Sequence, residues 1–397
     1  MKRVLYITYD GLTDPLGQSQ VLAYLKKFDK EKILVHIISY EKQENYEANK
    51  VDVQSQIDAS TLVWHKLKYS KKPPIISTLF DIVRGFLFAL YLNKKYKFDI
   101  VHCRGYMPAF IGLWLKRVAG LKFIFDMRGW WVDEKKESGL WNGRIYKYIY
   151  AFYKRMEKRF FIESNFAVSL TYVGKQEILK NKWKTESLIG VIPTCVDFEL
   201  FKPFNVDTRK KVRAALFIPE EANVMVYSGA LGGNYSSLEL KELFEVYKKV
   251  YTHAWLLILS KESTKEEQKI FSKTNNVIFK SVAFKSVSDY LIASDIGVIF
   301  YKISFSVIGR SPTKLGEYWA CGVPVISRSG IGDLDLIFSR FIDGGYLIGK
   351  DLEGVGDIIN NSKFTHPNKL NLRNYAEEYF SLKKGVAFYE NIYLSPL

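Results

Sequence analysis

Short apolar segments rich in β-branched residues alternate with longer segments of helical periodicity, and this alternation limits the fold more than any other feature of the chain. In the first half, strands are predicted at Val4–Thr8, Leu34–Ser39, Thr61–His65, Ile100–Cys103, Phe123–Asp126, Phe166–Ser169 and Gly190–Ile192. Amphipathic helices are predicted between several of them, including Gln20–Phe28, Thr78–Tyr96 and Gly143–Glu163. The alternation predicts a parallel sheet with helices on both faces.

The same pattern begins again after Pro203. Further strands are predicted at Val224–Ser228, Trp255–Ser260, Val277–Lys280, Ile296–Phe300, Val323–Ser327 and Gly345–Ile348. The predicted fold is therefore α/β, with two doubly wound, Rossmann-like domains facing a cleft. The first domain is expected over 1–200 and the second over 201–374, and a helical segment over 375–397 could pack back on the first domain. Ligands bind such sheets at the carboxyl ends of their strands.

The charge of the chain is unevenly distributed. The 58 Lys and Arg against 42 Asp and Glu give a net charge of +16, and residues 64–184, with 25 basic and 9 acidic residues, hold the whole excess. Such a concentration predicts an anionic partner: nucleic acid, an acidic membrane surface or a phosphorylated substrate. The apolar content of 48% excludes a largely disordered chain.

Cysteine usage and hydropathy indicate a cytoplasmic location. Cys103, Cys195 and Cys321 are odd in number and form no CxxC pair, so neither a disulfide framework nor a zinc site is expected. The N-terminus reaches Asp10 after a very short apolar run, which argues against a signal peptide. The longest apolar stretch, Gly85–Leu92, is shorter than the roughly 20 residues that span a bilayer. We expect a soluble protein or one lying on a membrane surface.

The segment Ser311–Tyr318, SPTKLGEY, carries the strongest local signal. Ser followed by Pro predicts a helix start with Ser311 as the N-cap and Pro312 at the first helical position. The N–H groups of a helix start attract anions, and Lys314 adds a positive charge where the helix dipole disfavours one, which indicates an anion nearby. Glu317, on the same face, could accept hydrogen bonds from sugar hydroxyls. The alternative is an ordinary capped helix with a solvated Lys and Glu.

Three loops that follow predicted strands are candidates for contact with a substrate. Residues 229–235, GALGGNY, would let the backbone approach a phosphate or sugar. They are not a GxGxxG fingerprint, so a dinucleotide is not predicted. The alternative for this segment is a plain turn between a strand and a helix. Residues Asp10–Ser19 contain two glycines and a proline. Asp126 and Arg128 place a carboxylate and a guanidinium at the sheet edge, where a structural salt bridge between them is the alternative.

Together these segments resemble the retaining GT-B glycosyltransferases of family 4, of the bacterial cell-surface polysaccharide type, over nearly the whole chain. ITYDGLTDPLGQSQVLAYL is similar to the loop and helix after the first strand of that family, and IPTCVDFELFKP to its interdomain segment. YSGALGGNY is similar to the first loop of its nucleotide-binding domain, SPTKLGEYWACGVPVIS to its donor-site helix, and GIGDLDLI to the segment after that helix.

The resemblance implies a donor site in the second domain and an acceptor site in the first. The donor residues that it implies are Gly17, Gly229, Gly232, Arg310, Ser311, Pro312, Thr313, Lys314 and Glu317. In that family the helix start and its lysine hold the donor diphosphate, and the glutamate binds the nucleotide ribose. No metal or other cofactor is expected, because cations and N–H groups would stabilise the leaving diphosphate.

The sequence departs from the family pattern at three places. Gly309 stands where the first glutamate of the Glu-(seven residues)-Glu motif is usual, and Ala230 and Leu231 replace an Arg and a Lys near the phosphates. Arg310 and Lys314 are the candidates to substitute for those cations. A histidine common in the first domain is replaced within the segment DMRG at 126–129, which makes Asp126 and Arg128 the catalytic candidates.

Two further patterns were considered for metal binding. Asp333-Leu334-Asp335 matches a DxD motif, but it lies in a segment that resembles an ordinary turn of the family. The five histidines show no ligand spacing such as HxxxH. No metal site is predicted.

The predicted helix over 142–161 carries much of the positive charge. Its basic side chains at three- and four-residue spacing are Arg144, Lys147, Lys154, Arg155 and Lys158, and the side chains on another face are Ile145, Ile149, Phe152 and Met156. A basic face interleaved with aromatics suits anionic lipid or nucleic acid, and the alternative is a core face with a solvated back. The apolar helix Thr78–Lys97, which ends in three lysines, favours a membrane surface.

The sequence thus predicts a cytoplasmic glycosyltransferase, peripheral on the inner face of the membrane. It would move a sugar from a nucleotide-diphosphate sugar to a glycan acceptor, lipid-linked, in cell-surface polysaccharide synthesis, with retention of configuration. Nucleic acid is not expected as a partner. Two alternatives stay open: a nucleotide-sugar 2-epimerase of the same fold, and a non-catalytic basic protein that binds membrane or nucleic acid.

Overall fold

The computed structural model describes residues 1–232, 236–260, 265–349, 352, 355–361 and 369–396. The chain divides into two compact units: unit 1 consists of Met1–Pro193 together with Leu382–Leu397, and unit 2 consists of Thr194–Ser381. The sequence placed the two boundaries at 200 and 374 instead. Phe380 and Ser381 stay with unit 2 because the Val196 N–H donates to the Phe380 carbonyl (2.9 Å).

Unit 1 is built on a parallel sheet of seven strands in the order β3-β2-β1-β4-β5-β6-β7, all within the described residues. The strands are β1 (Lys2–Thr8), β2 (Ile33–Glu41), β3 (Val63–Lys68), β4 (Ile100–Arg104), β5 (Lys122–Asp126), β6 (Phe166–Ser169) and β7 (Ile189–Val191). The central strand β4 is buried at every residue, as expected of a sheet covered on both faces. The strand order reverses between β1 and β4, so the carboxyl ends of these strands form a topological switch point.

Eight helices of unit 1 precede residue 193 in the described chain. They are α1 (Pro15–Gly17), α2 (Ala23–Leu25), α3 (Gln43–Asp58), α4 (Ile76–Tyr96), α5 (Tyr106–Ala119), α6 (Trp131–Glu137), α7 (Arg144–Glu163) and α8 (Tyr172–Lys180). A π-helical turn, Gln18–Leu22, joins α1 to α2. The predicted single helix Gln20–Phe28 is therefore replaced by shorter turns that begin earlier and end at Leu25.

The described part of unit 2 has a parallel sheet of six strands in the order β10-β9-β8-β11-β12-β13. The strands are β8 (Asn223–Ser228), β9 (Ala254–Leu259), β10 (Val277–Lys280), β11 (Ile296–Ile299), β12 (Val325–Arg328) and β13 (Gly345–Ile348). The helices are α9 (Val206–Ala215), α10 (Ser237–Val250), α11 (Lys265–Ile270), α12 (Val287–Ile292), α13 (Thr313–Ala320), α14 (Leu334–Arg340), α15 (Val355–Asn361) and α16 (Lys369–Tyr379). Alternate residues of β8 enter two different hydrophobic clusters, so both faces of this sheet are covered.

The last helix, α17 (Leu382–Leu394), belongs to unit 1. The Tyr389 hydroxyl donates a hydrogen bond to Asp126 Oδ2 (3.0 Å), and the Tyr393 hydroxyl is hydrogen-bonded to Nδ1 of His102 (2.7 Å). Both tyrosines are buried. The predicted segment 375–397 is thus divided: its first residues end α16 in unit 2, and the rest forms α17 on unit 1.

The predicted fold class is confirmed. Each predicted strand overlaps an observed strand, and both sheets are parallel with helices on both faces. The apolar runs from which the strands were predicted are the residues that the helices bury. The sequence pattern was therefore sufficient to predict where the strands lie.

Candidate functional site

Helix α13 begins one residue later than the sequence predicts. Its first residue is Thr313, and Pro312 occupies the N-cap position, where it supplies no side-chain cap. The Ser311 hydroxyl instead accepts a hydrogen bond from the Thr194 N–H (3.1 Å), and the Thr194 hydroxyl donates to the Ser311 carbonyl (2.7 Å). The prediction of Ser311 as N-cap is wrong, because a residue distant in sequence holds its hydroxyl. No side chain caps the first N–H groups of α13, which suits an anion there.

Close packing fixes α13 against the end of β8. A Cβ atom on Gly316 would lie 2.6 Å from Val196 Cγ2, so only glycine permits the observed approach. The Tyr318 hydroxyl accepts a hydrogen bond from the Ser228 N–H (2.9 Å) and is completely buried. The start of α13 and the loop after β8 are therefore held side by side within unit 2.

The structure brings Lys314 and Gly229 together. The Lys314 Nζ is buried and lies 4.1 Å from the centre of the Tyr227 ring. Gly229 has φ +121°, and a Cβ atom there would lie 2.9 Å from Lys314 Cε. Glycine is thus required at 229 both by its backbone conformation and by the space that the lysine side chain occupies.

Lys314 and Glu317 form a buried pair of coupled charges. Burial lowers the pKa of Lys314 to about 7, although Glu317 opposes the shift. Burial likewise raises the pKa of Glu317 to about 7, and Lys314 opposes it. In the described residues the structure gives the Glu317 carboxylate no hydrogen-bond partner, so it can accept bonds from a ligand. A phosphate next to Lys314 would favour its charged form.

Other donor candidates of unit 2 have contacts of their own. Gly232 has φ +77°, and the side chain of Glu267 fills the space next to it. The Arg310 guanidinium lies 5.0 Å from the centre of the Tyr301 ring. Gly309 is buried at the end of the 3₁₀ turn Phe305–Gly309. The rest of the glycine-rich loop, 233–235, lies outside the described residues.

Glu41 fixes the glycine-rich loop of unit 1, a role that the sequence analysis missed. This carboxylate, at the end of β2, accepts hydrogen bonds from the N–H groups of Leu12 (2.8 Å) and Thr13 (3.1 Å). Gly17 is buried, and its Cα packs against the Gly11 carbonyl, where no larger residue fits. An acidic residue at the end of an apolar strand is the sequence signal for such a role.

Asp126 is the last residue of β5, Arg128 lies two residues beyond it, and both belong to a largely buried cluster of charges. Arg128 Nη1 is 3.8 Å from Asp126 Oδ1, and Asp126 Oδ2 is 3.5 Å from His102 Nε2. Burial raises the pKa of Asp126, but Arg128, His102 and Arg104 together hold it below its usual range. Asp126 and Arg128 thus form the salt bridge that was the alternative, at a distance longer than that of a hydrogen bond.

Helix α7 differs from the predicted amphipathic helix at one basic residue. Lys154 does not lie on the exposed basic side: its Nζ donates to Asp133 Oδ2 (2.8 Å) and Glu157 Oε1 (2.5 Å). Ile145 and Phe152, which the alternative of a core face would bury, are 73% and 52% exposed. The basic side chains that remain exposed are Arg144, Lys147, Arg155 and Lys158.

Helix α4 is also apolar on its exposed side. Its exposed large side chains are Ile76, Leu79, Phe80, Val83, Leu87 and Tyr91. Among the described residues it is the one helix long and apolar enough to cross a membrane by length and composition, which is weak evidence by itself. Helices α4 and α7 both pack on α5, through Phe86 on Trp114 (5.2 Å between ring centres) and Phe152 on Phe110 (6.0 Å).

The acidic residues of the DxD match have structural partners. Asp335 accepts a hydrogen bond from the Gly330 N–H (2.7 Å), and Asp333 accepts one from the Tyr379 hydroxyl (2.9 Å). Across the parts of the chain that the structure describes, no group of three or more His, Cys, Asp or Glu side chains is placed to hold a metal ion.

No family model matches the sequence, and no curated protein matches it. Solved structures do match. Sucrose-phosphate synthase from Thermosynechococcus elongatus has a TM-score of 0.72 and 13% identity, covering 99% of this chain and 98% of its own. Anabaena HepE in complex with UDP-glucose has a TM-score of 0.71 and 12% identity, with full coverage of both chains. A UDP-N-acetylglucosamine 2-epimerase, described as putative, from Listeria monocytogenes has a TM-score of 0.55 and 11% identity, covering 100% of this chain and 97% of its own.

These similarities identify the fold. The chain has the GT-B fold, in which two Rossmann-like α/β units follow one another and the last helix returns to the first unit.

Proposed function

We propose that the protein is a glycosyltransferase that uses a nucleotide-diphosphate sugar as donor. The observation that carries this proposal is the group formed by Lys314, Glu317 and Gly229 at the start of α13. A buried amine beside uncapped helical N–H groups suits a diphosphate. A carboxylate one turn later, without a hydrogen-bond partner among the described residues, suits a hydroxyl-rich ligand such as ribose. Glycosyltransferases of the same fold, including HepE with UDP-glucose, support the assignment.

The donor part of the proposal is tested by nucleotide binding. UDP, GDP and ADP are titrated by calorimetry against the protein and against Glu317→Ala, with Glu242→Ala, an exposed carboxylate on α10, as the control. Loss of a charge-assisted hydrogen bond is worth about 1.5–3 kcal/mol, so Glu317→Ala is expected to weaken the binding nucleotide at least about tenfold. If none of the three nucleotides binds and Glu317→Ala leaves transfer unchanged, the proposal fails.

The reaction that we propose transfers the sugar to a glycan acceptor, lipid-linked, with retention of configuration, in cell-surface polysaccharide synthesis. The family resemblance supports these finer points. Unit 1 would bind the acceptor, with Asp126 and Arg128 on its sheet edge as contacts. No metal would be needed, because Lys314, Arg310 and the helix start supply positive charge to the leaving diphosphate. Transfer in the presence of EDTA is expected to be unchanged.

A location on the cytoplasmic face of a membrane is part of the same proposal. The exposed apolar side of α4 and the exposed basic side of α7 both belong to unit 1, on helices that pack on α5. Apolar contact and attraction to anionic lipids each add to binding at a surface. A net excess of 16 positive charges over residues 64–184 favours the same partner.

Vesicle co-sedimentation tests the membrane proposal. Binding is expected with vesicles containing phosphatidylglycerol and not with pure phosphatidylcholine. The double variant Leu79→Ser/Leu87→Ser and the double variant Arg144→Gln/Lys147→Gln should each weaken binding, whereas Lys210→Gln/Lys211→Gln on α9 should not. Equal binding by all three variants would exclude α4 and α7 as the membrane-binding helices.

The 2-epimerase is the second candidate, because a putative epimerase of the same fold is among the matching structures. Incubation with UDP-N-acetylglucosamine alone separates the two: an epimerase forms an isomer without acceptor, and a transferase does not.

A further inference from the structure

The carboxyl edge of the unit 1 sheet holds two largely buried arginines. Arg104 is the last residue of β4, and its side chain is 6% exposed; Arg128 lies two residues beyond β5, and its side chain is 12% exposed. Arg104 is paired in register with Thr8 on β1 and with Asp126 on β5, so it lies at the topological switch point of the sheet. Burial raises the pKa of the Tyr6 hydroxyl, and the charges of both arginines act on this hydroxyl to oppose the rise, so the two charges belong to one cluster.

Within the described residues, neither guanidinium has all of its N–H donors hydrogen-bonded. The nearest carboxylates are at 3.5 Å, from Arg104 Nε to Asp10 Oδ2, and at 3.8 Å, from Arg128 Nη1 to Asp126 Oδ1. Nε and Nη1 of Arg104 and Nε of Arg128 are buried without a hydrogen-bond partner among the described residues. Buried charged groups are normally hydrogen-bonded, because desolvation without a partner costs several kcal/mol.

The neighbouring groups do not remove this positive charge. Asp126 also accepts a hydrogen bond from Tyr389, and Asp10 is 44% exposed to solvent. Burial lowers the pKa of His102 even though Asp126 opposes the shift, so the imidazole is neutral near pH 7 and adds no cation. The positive charge of this cluster therefore comes from the two arginines.

The backbone supports a special role for Arg128. Its φ of +59° is in the left-handed region, which non-glycine residues seldom adopt, and Gly129 follows at +112°. Such conformations persist where the surroundings enforce them, and they are concentrated at ligand sites.

We propose that Arg104 and Arg128 form an anion site on unit 1 that binds a phosphate group of the acceptor. Planar guanidinium groups bind phosphate oxygens through their N–H donors. Three such donor atoms are without partners here, among the described residues. The identification of the ligand as the acceptor rests on the proposed function, whereas the anion site itself does not. This site is separate from the donor site at Lys314 in unit 2.

Calorimetric titration of inorganic phosphate into protein saturated with UDP tests the proposal. UDP occupies the unit 2 site, so the phosphate measured binds elsewhere. Arg104→Gln and Arg128→Gln are each expected to weaken phosphate binding at least about tenfold and to leave UDP binding within twofold. Arg117→Gln, which removes an exposed arginine paired with Glu163 on the surface of unit 1, is the matched control and should change neither.

The outcomes separate this proposal from the donor proposal. Wild-type phosphate affinity in both arginine variants, or no phosphate binding by the wild type at 10 mM, overturns the anion site. Loss of UDP binding in Arg104→Gln also overturns it, because the arginines would then serve the donor. Phosphate binding that depends on Arg104 in a protein that binds no nucleotide would support this site and refute the donor proposal.

Arg104→Lys, which keeps the charge but loses the paired donors, gives the same test if Arg104→Gln does not fold. The expected weakening of phosphate binding is then about threefold or more.

Discussion

The coupled pair of Lys314 and Glu317 predicts that donor binding exchanges protons with solvent in a direction that depends on pH. With a pKa of about 7, only about 10% of Lys314 is charged at pH 8 in the free protein. A bound diphosphate restores the ammonium, so binding at pH 8 should take up about 0.9 proton per site.

Glu317 has the opposite effect at lower pH. Its pKa of about 7 leaves only about 10% of the carboxylate ionised at pH 6 in the free protein. Hydrogen bonds from ribose hydroxyls favour the ionised form, so binding at pH 6 should release protons, while Lys314 is already charged and takes up few. The net exchange should change sign near pH 7.

Calorimetry in buffers of different ionisation enthalpy measures this exchange directly. UDP-glucose is the suitable ligand, because its doubly esterified diphosphate exchanges no proton between pH 6 and 8. Lys314→Met should abolish the uptake at pH 8, and Glu317→Gln should abolish the release at pH 6. Binding with no proton uptake at pH 8, or uptake that persists in Lys314→Met, would refute the reasoning.

Three further predictions concern single side chains. Tyr389→Phe leaves the buried Asp126 carboxylate without its hydroxyl donor and should lower the free energy of unfolding in urea by about 1–3 kcal/mol. The control Tyr148→Phe, at an 80% exposed position, should change that free energy by less than about 0.5 kcal/mol. Gly229→Ala should weaken UDP binding about tenfold in calorimetry, because the new methyl group displaces the donor-site lysine. Gly316→Ala should destabilise the protein by about 1–3 kcal/mol in the same urea assay by forcing α13 away from its contacts; an unchanged midpoint would contradict the packing argument.

The sequence predicted the strands well and the ends of helices less well. Apolar runs mark buried strands through local pattern alone, so all the predicted strands overlap observed ones. The cap of α13 depends on Thr194, which lies far away in sequence and takes the Ser311 hydroxyl. A prediction from neighbouring residues alone does not include this competing hydrogen bond.

The same distinction applies to the candidate site. Gly229, Lys314 and Glu317 come together because two loops of one sheet edge meet, which the strand pattern allowed to be predicted. Lys154 was placed on the wrong side of α7 because its partner Asp133 comes from another helix. Arg104 was missed because a single basic residue at a strand end has no distinctive pattern, and its isolation from hydrogen-bond partners is visible only in three dimensions.

The return of α17 to unit 1 has a consequence for synthesis of the chain. The N–H of Asp29 donates to the Glu390 carboxylate (2.6 Å), and Tyr393 is completely buried, so the last helix completes the core that the first residues begin. In synthesis from the N-terminus, α17 is made only after the whole of unit 2. Unit 1 therefore lacks part of its core until α17 has been made, whereas unit 2 is one continuous segment, Thr194–Ser381, that needs no later residue. The unit that is synthesised first is thus the last to be completed.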